Sequence, residues 1–214
     1  EDFCPVDLNA NLYFYETLFA RYAALLGDAA AAEEWARCAA KRRELINRYC
    51  LGSDGIYYDY DYVNGRRSTV VSGAVFSLLY AGVPDDAQAR RLVKGALERL
   101  EFEYGVAVCE DKPYDYAYQW SYPNTWPPVT YLAVRGLDTY GYGRDARRIA
   151  CKYVAMVVKT FGQTHNLWEK YNVREGNINV SNEYGMPTML GWSAGTFIYA
   201  CDYLDGKINN QAKH

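Results

Sequence analysis

Apolar residues recur along this 214-residue chain at the spacing of amphipathic helices, in seven segments. In the first segment, residues 7–26, Leu8, Leu12, Tyr15 and Phe19 follow the three- and four-residue spacing that brings side chains to one helix face. The remaining predicted helices span residues 29–51, 69–82, 84–100, 126–140, 144–161 and 189–204. Helical periodicity over most of the chain predicts an all-α protein.

The connections between these helices alternate between two kinds. Gly27-Asp28 and Pro84-Asp85 mark short turns, because Gly ends a helix, Asp caps the next one and Pro suits a helix start. Long aromatic loops follow every second helix, at residues 54–68, 101–124 and 166–188. Helices joined by short turns lie antiparallel. The sequence therefore predicts a single domain over 1–214, a toroid of helical hairpins whose long loops open at one end.

Charge and hydropathy narrow the possible partners. A net charge of −3 and a pI near 5.5 do not give the basic footprint of a nucleic-acid-binding protein. The longest apolar stretch, VVSGAVFSLLYAGV, is too short to span a bilayer. We therefore predict neither a nucleic-acid partner nor a membrane partner.

Cysteine, histidine and tyrosine content changes this interpretation further. Six cysteines without a C-x-x-C pair, together with only two histidines, predict no metal site, and no cofactor motif is present. Cys38, Cys151 and Cys201 fall on apolar helix faces and are predicted to be buried thiols, which leaves the cell compartment undetermined. The 22 tyrosines, which join an apolar ring to a polar hydroxyl, favour a wet cleft lined by aromatic rings.

Residues that could act on a ligand are concentrated in the three long loops. The first loop holds Asp59 and Asp61 among four tyrosines. The candidates in the second loop are Asp115, Gln119, Trp120, Asn124 and Trp126. Those in the third loop are Trp168, Glu169, Lys170, Tyr171, Glu183 and Tyr184. Rings beside carboxylates and amides suit a sugar, and glycoside hydrolysis needs two carboxyl groups that flank the scissile bond.

Each candidate also has a purely structural interpretation. Asp59 and Asp61 are expected to cap or brace a loop more often than to act in catalysis. The segment 119–124 resembles turn chemistry before a helix. Glu169 beside Lys170 is consistent with a surface ion pair. Glu183 shortly precedes a helix, where the helix dipole favours acidic residues.

Four segments of the chain match the motif pattern of a known enzyme family. QWSYPNTWPP (119–128) is similar to Q-W-D-x-P-N-G-W-A-P, and WEKYNV (168–173) to E-K-Y-D-V. NEYGMPTMLGWSAGT (182–196) is similar to G-E-Y-x-x-Q-x-G-F-G-W-T-N-G, and PVDLNANLY (5–13) to P-V-D-L-N. In these motifs, which occur in family order over nearly the whole chain, the sequence resembles the trehalase family, glycoside hydrolase family 37. The resemblance implies the C-terminal portion of an (α/α)6 barrel.

The resemblance also implies an activity and roles for individual residues. The family hydrolyses α,α-trehalose to glucose with inversion, and Glu169 matches its general base, which activates water. Glu183 matches a carboxylate that binds sugar near the site. The remaining matched cleft residues, implied to hold or stack on glucose, are Gln119, Trp120, Asn124, Trp126 and Tyr184.

Departures from the family pattern keep a second substrate class open. Ser121 stands where the family has Asp, Thr125 where it has Gly, and Asn172 where it has Asp. The run W-P-P-x-x-Y-L at residues 126–132 is similar to a related group, the family 63-type α-glucosidases, and this resemblance accounts better for Pro127-Pro128. Cleavage of another α-glucoside is therefore the alternative to trehalose.

The resemblance implies a general acid that the chain does not carry. In the family it is an Asp in a Trp-Asp segment before P-V-D-L-N, and no such motif surrounds Asp2. Seven helices cannot close a ring of twelve, and an open half-toroid would expose core-facing surface. We therefore expect a longer protein or a nicked one, in which the N-terminal part or a complementary chain completes the site. Alone, this chain is expected to be nearly inactive.

Two non-enzymatic functions stay open at this point. The altered loop residues and the missing acid favour a non-catalytic carbohydrate-binding toroid. The third possibility is a helical-hairpin interaction protein that binds a peptide in its aromatic cleft. Binding of sugar without turnover would favour the carbohydrate-binding toroid. The absence of any response to sugar would favour the peptide-binding protein.

Overall fold

A computed structural model describes residues 2–113 and 118–210. Seven helices form over these residues, so the all-α prediction is confirmed. Their bounds are α1 Val6–Leu25, α2 Ala29–Tyr49, α3 Val75–Ala81, α4 Asp86–Leu100, α5 Pro127–Thr139, α6 Gly143–Thr164 and α7 Gly191–Leu204. None of the helices in this described part of the chain is both long and apolar enough to cross a bilayer.

The helices are arranged in two layers. The odd-numbered helices pack side by side, α1 on α3, α3 on α5 and α5 on α7, while α2 packs on α1 and α6 packs on both α5 and α7. Arg42 of α2 binds Glu16 of α1 through Nε and Nη2, at 2.7 to 3.0 Å. This alternation of an inner and an outer helix is the arrangement of an (α/α)6-type toroid, as predicted. The extent of the domain, residues 1–214, stays a prediction.

The strands, each two residues long, lie outside the helices, mostly within the long loops. They are β1 Phe3–Cys4, β2 Tyr60–Asp61, β3 Arg66–Arg67, β4 Glu101–Phe102, β5 Gly105–Val106, β6 Asn124–Thr125 and β7 Tyr171–Asn172. β1 pairs with β2, and β2 with β3, all antiparallel. β6 of the second loop pairs antiparallel with β7 of the third, and Ser72 bridges Cys109. The second and third long loops therefore meet, and the segment that follows the first loop contacts the second.

Helix boundaries follow the local capping chemistry. The Asp28 carboxylate accepts a hydrogen bond from the Ala31 amide at 3.0 Å and starts α2. Asp85 and Gln88 form a reciprocal capping box that starts α4. Pro127 occupies the first turn of α5, where its missing N–H costs nothing.

The third predicted helix, 69–82, was placed too early in the chain, because α3 begins only at Val75. Residues 71–74 are not helical. Val71 N donates to Glu110 Oε1, Ser72 forms an antiparallel bridge with Cys109, and Gly73 N donates to Val108 O. Only Val75–Ala81 is helical, and nearly all of its side chains are buried. A continuous apolar run does not distinguish a buried strand from a buried helix, which explains the error.

Apolar positions on α1 differ most from the sequence prediction. The side chains that the helical spacing groups on one face are exposed: Leu8, Leu12, Tyr15, Phe19 and Tyr22. Their alternating spacing of four and three residues is that of a helix–helix packing seam. A continuous apolar strip of this kind marks an interaction surface.

The prediction of buried thiols at three helical cysteines was wrong. Cys38 and Cys151 are exposed and Cys201 is half-buried, whereas the buried thiols are Cys50 and Cys109, which lie outside the helices. In α2 the side chain that faces inward is that of Ala39, one position after Cys38. Successive residues of a helix are rotated by about 100° about its axis. A shift of one position in the predicted buried face therefore leaves the thiol exposed.

Replacing Gly136 tests the contact between α5 and α3. A methyl group there would lie 2.8 Å from Leu79 Cβ and 3.0 Å from the Tyr80 nitrogen. We expect Gly136→Ala to lower the free energy of unfolding by about 1–3 kcal/mol, because the two helices must separate. Gly162→Ala in α6, where nothing lies within 4 Å, is the matched control and should be neutral or stabilising by up to about 1 kcal/mol. Urea unfolding measures both, and equal stability of the two variants would contradict the tight helix contact.

Candidate active site

Glu169 is held at a bend of the third loop by structure on both sides. Lys170 follows it and leads directly into β7, which pairs with β6. On the other side, Ser193 Oγ donates to Trp168 O at 2.5 Å, and Trp192 Nε1 donates to Glu169 O at 3.2 Å. Both donors belong to the first turn of α7. The backbone of the candidate base is therefore fixed between a strand and a helix start.

Glu169 is 5% exposed. Its carboxylate accepts two hydrogen bonds. Tyr184 Oη donates to Oε1 at 2.7 Å, and Lys170 Nζ donates to Oε2 at 2.8 Å. The bond to this carboxylate is the main cause that raises the pKa of Tyr184 to about 12. Tyr184 therefore stays protonated and able to donate at neutral pH.

Lys170 is 0% exposed, which corrects the interpretation of a surface ion pair. Its ammonium lies 5.0 Å from the centre of the Trp126 ring and 5.0 Å from that of Tyr184. Cations over aromatic faces are attracted by the ring quadrupole. The pair is thus buried and enclosed by aromatic side chains.

Asn124 joins the second loop to the third. Its Nδ2 donates to Gln119 O and to Ser181 O, both at 2.9 Å, and its Oδ1 accepts from Ser181 N at 3.2 Å. The side chain is fully buried. Its amide therefore positions both loops through bonds to their backbone atoms.

Three tryptophans, two from the segment 119–128 and one from the start of α7, form a layered aromatic cluster. Trp120 stacks on Trp126 with ring centres 4.2 Å apart and planes 5° apart. Trp192 meets Trp126 edge-on at 5.5 Å. Trp126 is buried between them, and its Nε1 donates to Gln119 O at 3.0 Å. Trp120, at 53% exposed, presents its ring to solvent.

Gln119 and Glu183 supply the remaining polar groups of the candidate site. The Glu183 carboxylate is exposed, and its Oε2 lies 3.4 Å from the Gln119 amide nitrogen, which donates to it. Gln119 Oε1 is buried and, within the described part of the chain, has no hydrogen-bond partner. An acceptor without a donor in such a place is suited to a ligand hydroxyl.

The carboxylates of the first loop have the structural roles expected of them. Asp59 Oδ1 accepts from the Val6 amide at 2.8 Å and so caps α1. Asp61 accepts from the backbone and side chain of Asn64 at 2.9 and 2.8 Å and braces the turn. Asp115 lies outside the described residues. Among residues 2–113 and 118–210 no cluster of three or more His, Cys, Asp or Glu side chains could hold a metal ion.

A family model for trehalase matches residues 1–205. The chain belongs to the trehalase family. All seven residues predicted for the site of this trehalase-family chain lie in one contact network, which is completed by Lys170, Trp192 and Ser181. Sequence reasoning had treated the lysine as solvated and passed over the other two, although Trp192 lies in the quoted motif 182–196.

Solved structures extend the comparison to the fold. The chain is similar to neutral trehalase Nth1 from Saccharomyces cerevisiae, with a TM-score of 0.82 and 28% identity over 95% of this chain and 38% of the yeast chain. It also shares a fold with a GH63 mannosylglycerate hydrolase from Thermus thermophilus, with a TM-score of 0.72 and 20% identity, covering 92% of this chain and 44% of that one. The trehalase-family chain thus spans less than half the length of either protein.

The departures from the trehalase-family motifs are structural at two positions. Asn172 is buried, accepts from the Arg174 and Glu175 amides, and donates to Asn179 O at 2.8 Å. Thr125 is buried opposite Tyr171 in the β6–β7 pair. These two side chains shape the loops that carry the site and are not exposed to a ligand.

Removal of the Asn124 amide should loosen the connection between the second and third loops. Asn124→Ala leaves buried carbonyl and amide groups of the second and third loops without partners, so we expect a loss of about 1–3 kcal/mol in the free energy of unfolding. Asn182→Ala is the matched control, because that exposed side chain makes one 3.2 Å bond to Val180 O and should change stability by less than about 0.5 kcal/mol. Chemical denaturation decides the matter, and equal losses in the two variants would show that Asn124 does not join the loops.

Proposed function

We propose that this chain forms the general-base part of an inverting glycoside hydrolase that cleaves α,α-trehalose to glucose, with Glu169 as the base. The observation that carries the proposal is the Glu169 carboxylate, buried beside a tryptophan cluster and held by Tyr184 and Lys170 at 2.7 and 2.8 Å. Membership of the trehalase family supports the reaction class.

The bonding of Glu169 leaves it able to act as a base. Each carboxylate oxygen accepts one hydrogen bond from the protein and has further lone-pair capacity. A water bound to that free capacity would lose its proton to Glu169 as it attacks the anomeric carbon. In an inverting enzyme the acid lies about 6.5–9.5 Å away from the base, on the other side of that water and the sugar.

Side chains of the second and third loops supply the sugar contacts in this proposal. The free face of Trp120 stacks on a pyranose ring, while Gln119 Oε1 and the Glu183 carboxylate accept from hydroxyls. Tyr184 is exposed and donates to the base through its hydroxyl. Asn124 and Trp126 act indirectly, because both are buried and bonded to Gln119 O.

The general acid is proposed to come from the rest of a longer protein or from a complementary chain. The exposed apolar seam on α1 supports this, because a helix packed there would bury Leu12, Phe19 and their neighbours and extend the inner layer of helices. The intact mass and the N-terminal peptide of the native gene product test the idea. A mass equal to 24.4 kDa would contradict a longer protein and favour a partner chain or a carbohydrate-binding function without turnover.

Substitution of the base tests the assignment of Glu169. In the full-length protein, Glu169→Gln should reduce kcat by about 10²–10⁴-fold, because the amide cannot take a proton from water. The amide oxygen still accepts from Lys170, but the buried ammonium group loses its counterion. We therefore expect a lower melting temperature, and kcat is compared on protein that circular dichroism shows to be folded. Glu175→Gln, an exposed acid in the same loop, is the control and should leave kcat unchanged. Wild-type turnover in the Glu169 variant would remove the assignment.

Stereochemistry tests the mechanism separately. Inversion converts α,α-trehalose into one β-glucose and one α-glucose, so proton NMR of fresh product should show the two anomers in equal amounts before mutarotation. Two equivalents of α-glucose would contradict inversion. Faster cleavage of another α-glucoside than of trehalose would instead favour the family 63-type alternative as the substrate class.

A further inference from the structure

Lys170 carries a buried charge. The role of Glu169 as a base does not by itself explain why a buried lysine follows it. We propose that Lys170 is a positioning residue, which holds the Glu169 carboxylate in the orientation needed to activate water. This inference rests on the proposed function. It assigns a role to a side chain that is 0% exposed.

Burial makes Lys170 costly unless its charge is compensated. A lone ammonium group in a protein interior is strongly unfavourable, and an ion pair offsets that cost only with good geometry. Lys170 Nζ lies 2.8 Å from Glu169 Oε2 and 5.0 Å from two ring centres, those of Trp126 and Tyr184. Carboxylate and rings therefore surround the ammonium group on several sides and determine where it lies.

The backbone fixes the other end of the lysine. Tyr171 and Asn172, which follow it, pair with Thr125 and Asn124 of the second loop. Trp126, whose ring lies beside the ammonium group, directly follows that strand. The lysine stem is thus anchored to the same two-strand unit that supports the ring.

Together with Tyr184, Lys170 restrains the carboxylate plane. One donor holds Oε1 and the other holds Oε2, so rotation about the terminal carbon–carbon bond of Glu169 would break both hydrogen bonds. Without the ammonium group, Tyr184 alone remains and the plane can turn. A displacement of about 1 Å in a reacting group can cost 10²-fold in rate.

The test compares four variants of the full-length protein on trehalose: Lys170→Met, Glu169→Gln, the double variant E169Q/K170M, and Lys159→Met. Lys159 is the matched control. Its ammonium group also lies over a tyrosine ring, that of Tyr104 at 4.6 Å, but its side chain is on the exposed face of α6. We expect K170M to lower kcat by about 10²-fold with little change in KM. K159M should match the wild type.

The double variant separates positioning from any independent effect of the lysine. If Lys170 acts through Glu169, adding K170M to E169Q should lower kcat no further. An equal loss of rate in both backgrounds would overturn the proposal, as would a wild-type kcat for K170M. Wild-type turnover of E169Q would instead overturn the proposed function, so the two failures are distinguishable.

Stability keeps the test decisive if K170M folds poorly. K170M leaves a buried carboxylate without its counterion, whereas E169Q/K170M leaves no charge, so the double variant should melt at a higher temperature than K170M. Lys170→Arg, which keeps the charge, should recover part of kcat relative to K170M. A double variant that melts lower than K170M, or an arginine variant with no recovery, would count against the ion pair.

Discussion

One buried side-chain amide determines how the candidate site is assembled. Asn124 donates to the second loop at Gln119 O, and it both donates to and accepts from Ser181 of the third loop. It also belongs to β6, so the same residue contributes a strand pair to β7, next to the segment that carries Glu169. Backbone bonds also join the two loops, since Val173 N donates to Pro123 O at 2.9 Å and Tyr104 N donates to Val173 O at 2.8 Å. The Asn124 side chain adds buried bonds to Gln119 and Ser181, which those backbone bonds do not reach.

The buried ion pair of Glu169 and Lys170 contributes to orientation more than to stability. Because Glu169 and Lys170 are adjacent in sequence, bringing them together costs almost no chain entropy. The free-energy cost of the pair is mainly the desolvation of its two charges. Aromatic rings around the ammonium group reduce that cost. The pair therefore adds little to global stability as an interaction, and its value lies in orienting one carboxylate. Loss of either partner alone is the damaging event, because it leaves the other charge buried.

Helical periodicity and capping residues were sufficient to predict most of the fold, and the resemblance to family motifs indicated which loop residues form the candidate site. The starts of α2 and α4 were predictable because Asp28 and Asp85 use local hydrogen bonds. The exposure of Leu12 and Phe19 was not, because periodicity shows that a helix has an apolar face but not what covers it. The burial of Lys170 was equally invisible, since it depends on Trp126 and Tyr184, which lie 44 and 14 positions away in the sequence.

The placement of every described candidate on a loop, with the inner helices packed beneath, has a consequence for how this protein can change over generations. Substitutions at Gln119, Trp120 or Glu183 alter side chains of the candidate site without touching the contact of Gly136 with Leu79 that keeps α5 against α3. Ligand preference and folding are then under largely separate selection. Residues such as Asn172 and Thr125, which are buried and shape the loops, are subject to both kinds of selection. We expect a lineage that shifts to a new sugar to accumulate paired replacements at these positions.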